Sequence, residues 1–78
     1  MLEEATGEVV REKRFISNAS INGNKVNVRS QPTTSSKVVK QLNTGHPVKI
    51  TDENGDWYFI QTESGTHGWV FGKYVKLK

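Results

Sequence analysis

Four oxygen-bearing side chains in the second half of the sequence follow the spacing of a calcium-binding loop. Asp52, Asn54, Asp56 and Glu63 stand at the first, third, fifth and twelfth places of that pattern. The sharp turn of such a loop needs glycine at the sixth place, where this chain has Trp57, and the residues that follow read as a strand. We interpret the spacing as that of a hairpin tip and predict neither a metal site nor a cofactor.

Nucleophilic catalysis needs a base beside the nucleophile and a third group that orients the base. The candidate bases are His46, which precedes Pro47 in a turn, and His67, which lies in a predicted hairpin. The chain has no cysteine, and no other nucleophile stands in a distinctive setting. We therefore predict that the chain is not an enzyme and has no catalytic residues.

The aromatic residues, by contrast, indicate binding, because almost all of them lie in the last third of the chain. Successive side chains of a strand point to opposite faces, so Trp57 and Phe59 share the outer face of one strand, and Trp69 and Phe71 that of the next. Small domains rarely expose a contiguous aromatic patch unless something binds there, and flat amphipathic rings suit peptide or sugar contacts. A binding surface is the first functional expectation.

Composition favours one small folded domain with a thin core. The chain has 78 residues, of which 33% are hydrophobic, and its mean hydropathy is -0.64. No apolar run is long enough to span a bilayer, and the acidic start at residues 1–4 does not fit a signal peptide. We interpret the chain as a fragment of a longer protein and expect the isolated domain to be monomeric.

Charge divides the chain into two parts. Residues 1–13 hold four acidic and two basic side chains, a net -2, and subtracting this from the total of +3 leaves +5 for residues 14–78. A basic body favours anionic partners such as wall polymers, a membrane surface or nucleic acid. The alternative is that the lysines only solvate strand edges.

The pattern of residues predicts strands and turns, with no helical periodicity. Short β-branched and aromatic runs are bounded by Gly, Pro, Asn, Asp and Ser, and Asn54-Gly55 is the strongest hairpin signal. The loop Pro32–Ser36 could hold one tight helical turn. We predict an all-β fold over residues 14–78, a small closed barrel of five to seven short antiparallel strands. Residues 1–13 are predicted to form a linker or frayed segment, which could add an edge strand at Val9 and Val10. The predicted strands are Arg14–Ile21, Lys25–Ser30, Lys37–Leu42, Val48–Thr51, Trp57–Gln61, His67–Val70 and Val75–Leu77. The predicted core residues are Ala19, Ile21, Val26, Val28, Val39, Leu42, Val48, Ile50, Tyr58, Ile60, Val70 and Val75.

Several short segments, taken in order and spacing, resemble the bacterial Src-homology-3 family along roughly Ala19 to Leu77. The segments are Val26-Asn27-Val28-Arg29-Ser30-Gln31-Pro32, Ser36-Lys37-Val38-Val39, Gly45, Gly55-Asp56-Trp57-Tyr58, Gly68-Trp69-Val70 and Tyr74-Val75. The family usually has glycine where this chain has Gln31, a residue that tolerates positive φ poorly.

The resemblance implies an SH3-like barrel that does no chemistry itself. Such modules hold cell-wall hydrolases, surface proteins or toxins on the bacterial envelope, frequently on the peptide part or cross-bridge of peptidoglycan, so the implied location is extracellular or wall-associated in a bacterium. Two alternatives stay open: an intramolecular regulatory or spacer domain that packs on a neighbouring catalytic domain, and a peptide-binding module. Single-stranded nucleic acid fits the basic charge, but no motif supports it.

The end of the chain is also similar to eukaryotic Src-homology-3 domains, whose matching aromatic positions line a groove for proline-rich peptides. The similarity implies a groove with Trp57, Trp69 and Tyr74, and with Phe71 where the eukaryotic motif has proline. The tyrosine-rich loop that forms the other wall has no counterpart at residues 29–36, which favours a glycine-rich or stem-type wall peptide as ligand.

Two polar residues complete the predicted site. Asn27 and Arg29 lie on the outer face of their strand and could contact peptide amides or carboxylates. The alternatives are that the rings only cover the core, that Asn27 fastens the neighbouring loop, and that Arg29 stacks on Trp57 or Trp69.

Overall fold

A computed structural model describes residues 17–78 of the chain. Within them the chain forms seven strands and one 3-10 turn, which confirms the all-β prediction. Three predictions lie outside the described residues. They are the domain boundary at residues 13/14, the edge strand at Val9 and Val10, and the start of the first strand. The elements are β1 (Ser17–Ile21), β2 (Val26–Arg29), β3 (Val38–Leu42), β4 (Pro47–Asn54), β5 (Trp57–Gln61), β6 (His67–Phe71), the 3-10 turn (Gly72–Tyr74) and β7 (Val75–Leu77).

The seven strands form one antiparallel sheet in the order β3-β2-β6-β5-β4-β1-β7. This architecture is consistent with the SH3-like fold that the resemblance implies. Between residues 17 and 78 no ladder joins the outer strands β3 and β7, so the sheet stays open. The expectation of a barrel fully closed by strand pairing is therefore wrong, and β3 and β7 are edges.

The β4–β5 hairpin forms where the sequence predicts it. Asn54 pairs with Trp57 across the tip, and Gly55 has φ 62°, the left-handed conformation that favours glycine. Asp52 and Asn54 belong to β4 rather than to a loop. Across residues 17–78, no three His, Asp or Glu side chains come together as a possible metal site.

Nine apolar side chains form the core, and all nine were predicted from the sequence. Tyr58 and Val75, also predicted, are partly buried and pack against it. The buried residues are Ala19, Ile21, Val26, Val28, Leu42, Val48, Ile50, Ile60 and Val70.

Val39 does not belong to the core, contrary to the prediction, and its side chain is 44% exposed. The β2–β3 register passes from Val28 opposite Lys40 to Arg29 opposite Val38, so Val39 is the extra residue of a bulge in an edge strand. A bulged residue has no partner directly across the ladder, and β3 reaches the core only at Leu42.

The tight helical turn lies at Gly72–Tyr74 and not in the loop Pro32–Ser36, which consists of bends and a turn. Ser36 holds this loop, because its hydroxyl lies 3.0 Å from the carbonyl oxygen of Gln31 and 2.8 Å from that of Thr33. Gln31 does not adopt positive φ; the described non-glycine residue that does is Lys25. The loop therefore accommodates Gln31 in an ordinary backbone conformation.

Candidate binding groove

Two aromatic pairs lie side by side on the outer face of β5 and β6. Trp57 is opposite Phe71 and Phe59 is opposite Trp69, as the alternation of the two strands predicts. The ring centroids are 5.4 Å and 5.2 Å apart, and both pairs meet edge to face, an arrangement that the ring quadrupoles favour. All four side chains are partly exposed, so the rings form a surface and not a buried cluster.

A groove of about 420 Å³ opens beside the Trp57–Phe71 pair. Tyr74 forms part of its wall, with its ring centroid 6.4 Å from that of Phe71 and its side chain 37% exposed. The other lining residues come from β2, from the turn before it and, with Thr34, from the loop Pro32–Ser36. The lining residues are Asn24, Lys25, Val26, Asn27, Arg29, Thr34, Trp57, Phe71 and Tyr74.

The groove thus gathers five of the six predicted site residues: Asn27, Arg29, Trp57, Phe71 and Tyr74. Trp69 does not line it. Its ring packs instead against Phe59, which in turn lies 5.8 Å from the imidazole of His67.

The 3-10 turn positions Tyr74 through a close backbone approach. The Gly72 amide donates to the Asp56 carbonyl oxygen at 2.7 Å, and a Cβ at Gly72 would lie 2.9 Å from that oxygen. The turn therefore sits directly on the β4–β5 hairpin, which only glycine allows without a shift. The Lys73 ammonium lies 5.7 Å from the centroid of the Tyr74 ring, within cation–π range.

The two polar residues of β2 are each held by a hydrogen bond. Gln41 on β3 donates through Nε2 to Oδ1 of Asn27 at 2.9 Å, so Asn27 is joined to the neighbouring strand and not to a loop. Arg29 donates through Nη1 to the Ser36 carbonyl oxygen at 2.8 Å. Within residues 17–78 the cation–π contact is that of Lys73, and Arg29 stacks on neither tryptophan.

Lys25 also lines the groove, and the sequence reasoning did not include it. Its backbone amide donates to Oδ1 of Asn43 at 2.8 Å, and the amide of Gly23 donates to Oγ1 of Thr44 at 3.0 Å. These bonds fasten the turn before β2 to the turn after β3. The signal that could have found Lys25 is the turn triplet at residues 22–24, because the next residue then stands immediately before the first residue of β2.

The fold defines a class of protein, a small antiparallel β-sheet domain with a groove on its outer face. The model of the family described as "Bacterial SH3 domain" matches residues 24–76, and this chain belongs to that family. The matched range includes all the lining residues of the groove.

A curated relative is the "Putative N-acetylmuramoyl-L-alanine amidase YrvJ" of Bacillus subtilis (strain 168). It is 40% identical over 52 residues, which make up 67% of this chain and 10% of that protein, so the chain spans about a tenth of the relative's length. At the level of the family, these findings support a cell-wall-associated binding module of a typically non-catalytic class. Helices long and apolar enough to cross a membrane do not occur between residues 17 and 78.

Proposed function

We propose that this chain is a non-catalytic module that targets a larger secreted or surface protein to bacterial peptidoglycan, where the groove binds the peptide part. The carried protein would be a cell-wall hydrolase, a surface protein or a toxin. The observation that carries the proposal is the groove itself, which is lined by three aromatic residues together with an asparagine and an arginine.

The chemistry of the groove suits an extended peptide. Trp57, Phe71 and Tyr74 offer flat apolar faces for aliphatic side chains and peptide planes, while Asn27 and Arg29 supply donors for carbonyl or carboxylate oxygens. One bond on Asn27 Oδ1 and one on Arg29 Nη1 leave further donors on both side chains. A ligand with backbone carbonyls and small side chains meets both requirements.

The family and the relative support a wall ligand. The name of the relative refers to the N-acetylmuramoyl-L-alanine linkage, which joins sugar to peptide in peptidoglycan. A module of this size that binds near such linkages would raise the local concentration of an attached enzyme on its polymer. Single sites of this kind bind weakly, and repeated copies would gain through avidity. The proposed location is accordingly extracellular or wall-associated.

The test is co-sedimentation with purified peptidoglycan, using a matched pair of tryptophan variants. We expect Trp57→Ala to weaken binding at least about tenfold, as loss of a central aromatic contact does, while Trp69→Ala changes it less than about twofold. Far-ultraviolet circular dichroism and thermal unfolding establish that both variants fold. Undiminished binding by a folded Trp57→Ala variant, or equal losses in both, would refute the proposal.

The Phe59–Trp69 pair supports a second candidate function, an intramolecular regulatory or spacer domain that packs on a neighbouring catalytic domain. These rings are partly exposed and lie outside the groove, so an interdomain contact here would leave the groove accessible. In a full-length protein with Trp57 replaced by phenylalanine, acrylamide should then quench Trp69 less than it does in the isolated domain. Equal quenching in both would argue against such a contact.

A further inference from the structure

The lining of the groove is cationic. Lys25 and Arg29 belong to it, and of the residues from 17 to 78 no Asp or Glu does. Both cations come from β2 and the turn before it, whereas the aromatic rings come from β5, the end of β6 and the 3-10 turn. A groove lined by both cations and aromatic rings would favour a ligand that carries an anionic group next to an apolar or amide portion.

Lys25 occupies a backbone conformation that its residue type disfavours. It has φ 52° and is the non-glycine residue with positive φ among residues 17–78. Left-handed conformations cost free energy for residues with a Cβ atom, and Asn or Gly tolerates them better. Strained backbone positions tend to persist where the side chain has a function, and here the strained residue is a lysine that lines the groove.

Arg29 is prepared for anion binding by its existing contact. Its Nη1 donates to the Ser36 carbonyl oxygen in a partly buried position, which fixes the side chain before any ligand arrives. A guanidinium has five N–H donors in a planar fork that matches a carboxylate. A fixed guanidinium loses little side-chain entropy on binding.

We infer that the groove recognises its peptide ligand through a carboxylate, which Lys25 and Arg29 bind while the aromatic rings contact the adjoining peptide. The inference rests on the proposed function, since it names the chemical class of the ligand at the same groove. The occupant is a peptide with a free carboxylate. A phosphodiester polymer would also satisfy two cations, but it would leave three aromatic rings without a partner.

The experiment titrates the folded domain with a soluble peptidoglycan stem peptide in two forms, one with free carboxylates and one with every carboxylate converted to a carboxamide. Binding is followed by calorimetry. We expect the amidated peptide to bind about tenfold more weakly, as loss of a charge-assisted hydrogen bond implies. Affinity for the free acid should also fall as the salt concentration rises.

Three variants separate charge from backbone strain. Lys25→Gln removes the charge and keeps the Cβ atom, and Lys25→Gly removes both. We expect each to lower affinity for the free acid about fivefold, and Lys25→Gly also to match or exceed the parent in thermal stability. The matched control is Lys49→Gln on β4, which changes net charge equally but lies outside the groove lining and should leave affinity unchanged.

The outcomes distinguish this inference from the proposed function. Peptidoglycan binding that depends on Trp57 but is indifferent to amidation and to Lys25 would overturn the inference and leave the targeting proposal intact. Carboxylate-dependent binding of the soluble peptide, without sedimentation of the domain on peptidoglycan, would overturn the targeting proposal and support recognition of a carboxylate by the groove. Tighter, Lys25-dependent binding of a glycerol phosphate polymer than of the free-acid peptide would overturn the inference, as would equal losses in Lys25→Gln and Lys49→Gln.

Discussion

The Trp57–Phe71 and Phe59–Trp69 pairs have nearly the same internal geometry but different surroundings. Both are edge-to-face pairs of the β5–β6 ladder, and the Tyr58–Val70 pair lies between them. The first lies beside the 3-10 turn, which adds Tyr74, and lines the groove. The second has the imidazole of His67 as its aromatic neighbour and lines no part of that groove.

Ring type and strand alternation do not by themselves make a groove, because both pairs have them and only one pair lines the groove. What differs is the backbone next to each pair. At Phe71 the chain leaves the sheet through a turn held on Asp56, and the displaced chain forms a wall. At Trp69 the chain continues as regular strand, and its neighbour across the other ladder is Arg29 on β2. A concave site needs an element that departs from the sheet.

The largest effect on stability should come from Gly68→Ala. Because this substitution strains the β2–β6 junction, it should disrupt both the Trp57–Phe71 pair and the Phe59–Trp69 pair. A Cβ at Gly68 would lie 2.7 Å from the Arg29 carbonyl oxygen and 2.7 Å from Cγ1 of Val28. Neither backbone nor buried core can yield easily, so we expect a loss of about 3 kcal/mol in the free energy of unfolding. Urea unfolding followed by tryptophan fluorescence measures it. Lys76→Ala on the exposed β7 edge is the control, and a Gly68→Ala variant as stable as that control would contradict the close β2–β6 approach.

Gly72→Ala should alter the surroundings of the Trp57–Phe71 pair and leave those of the Phe59–Trp69 pair unchanged. The new Cβ would lie 2.9 Å from the Asp56 carbonyl oxygen and 3.4 Å from Cε2 of Tyr58, so the 3-10 turn must move. We expect a loss of about 2 kcal/mol in stability and about tenfold weaker peptidoglycan binding. NMR spectra should show shifted ring signals for Phe71 and unchanged signals for Trp69. Equal shifts at both rings would mean that the turn does not act on the groove selectively.

A smaller effect on stability and binding is expected from Asn43→Ala, which loosens the turn before β2 that carries Lys25. The substitution removes the acceptor of the Lys25 amide, a loss of about 1 kcal/mol in stability. Because the turn before β2 is then less well fixed, affinity for peptidoglycan should fall about threefold, with no change in the fluorescence of Trp69. Asn18→Ala on β1 is the control for the amide side chain. If both variants bind peptidoglycan like the parent, the hydrogen bond between Asn43 and the Lys25 amide does not contribute to binding by the groove.

Local patterns predicted most of the fold. Alternation in β5 and β6 separates buried Ile60 and Val70 from the outer rings, because both strands lie inside the sheet with a core on one face. Asn54-Gly55 predicted the hairpin because only a few residues accept left-handed φ. These signals depend on nearest neighbours along the chain, which a sequence displays directly.

The errors concern features that depend on distant parts of the chain. Val39 has a core residue's type, but a bulge in an edge strand removes it from the core. Closure of the sheet depends on whether β3 meets β7, which no local pattern reveals. Lys25 was missed as a groove residue because its place follows from a turn fastened to residues about 20 positions away.

The ladder between β2 and β6 has a consequence for how ligand binding affects the whole domain. Its register contains the single pair Arg29–Trp69, whereas β5 and β6 share five pairs, so the β2–β3 hairpin is joined to the remaining strands over a short length. The groove crosses this junction, with Asn27 and Arg29 on one side and Trp57, Phe71 and Tyr74 on the other. Any peptide that fills it touches both halves of the sheet, and its binding free energy is added to the interactions that keep them together. An occupied domain resists separation of its halves more strongly than an empty one, and if the proposed targeting role holds, this would stabilise the domain against tension between the wall and the protein that it carries.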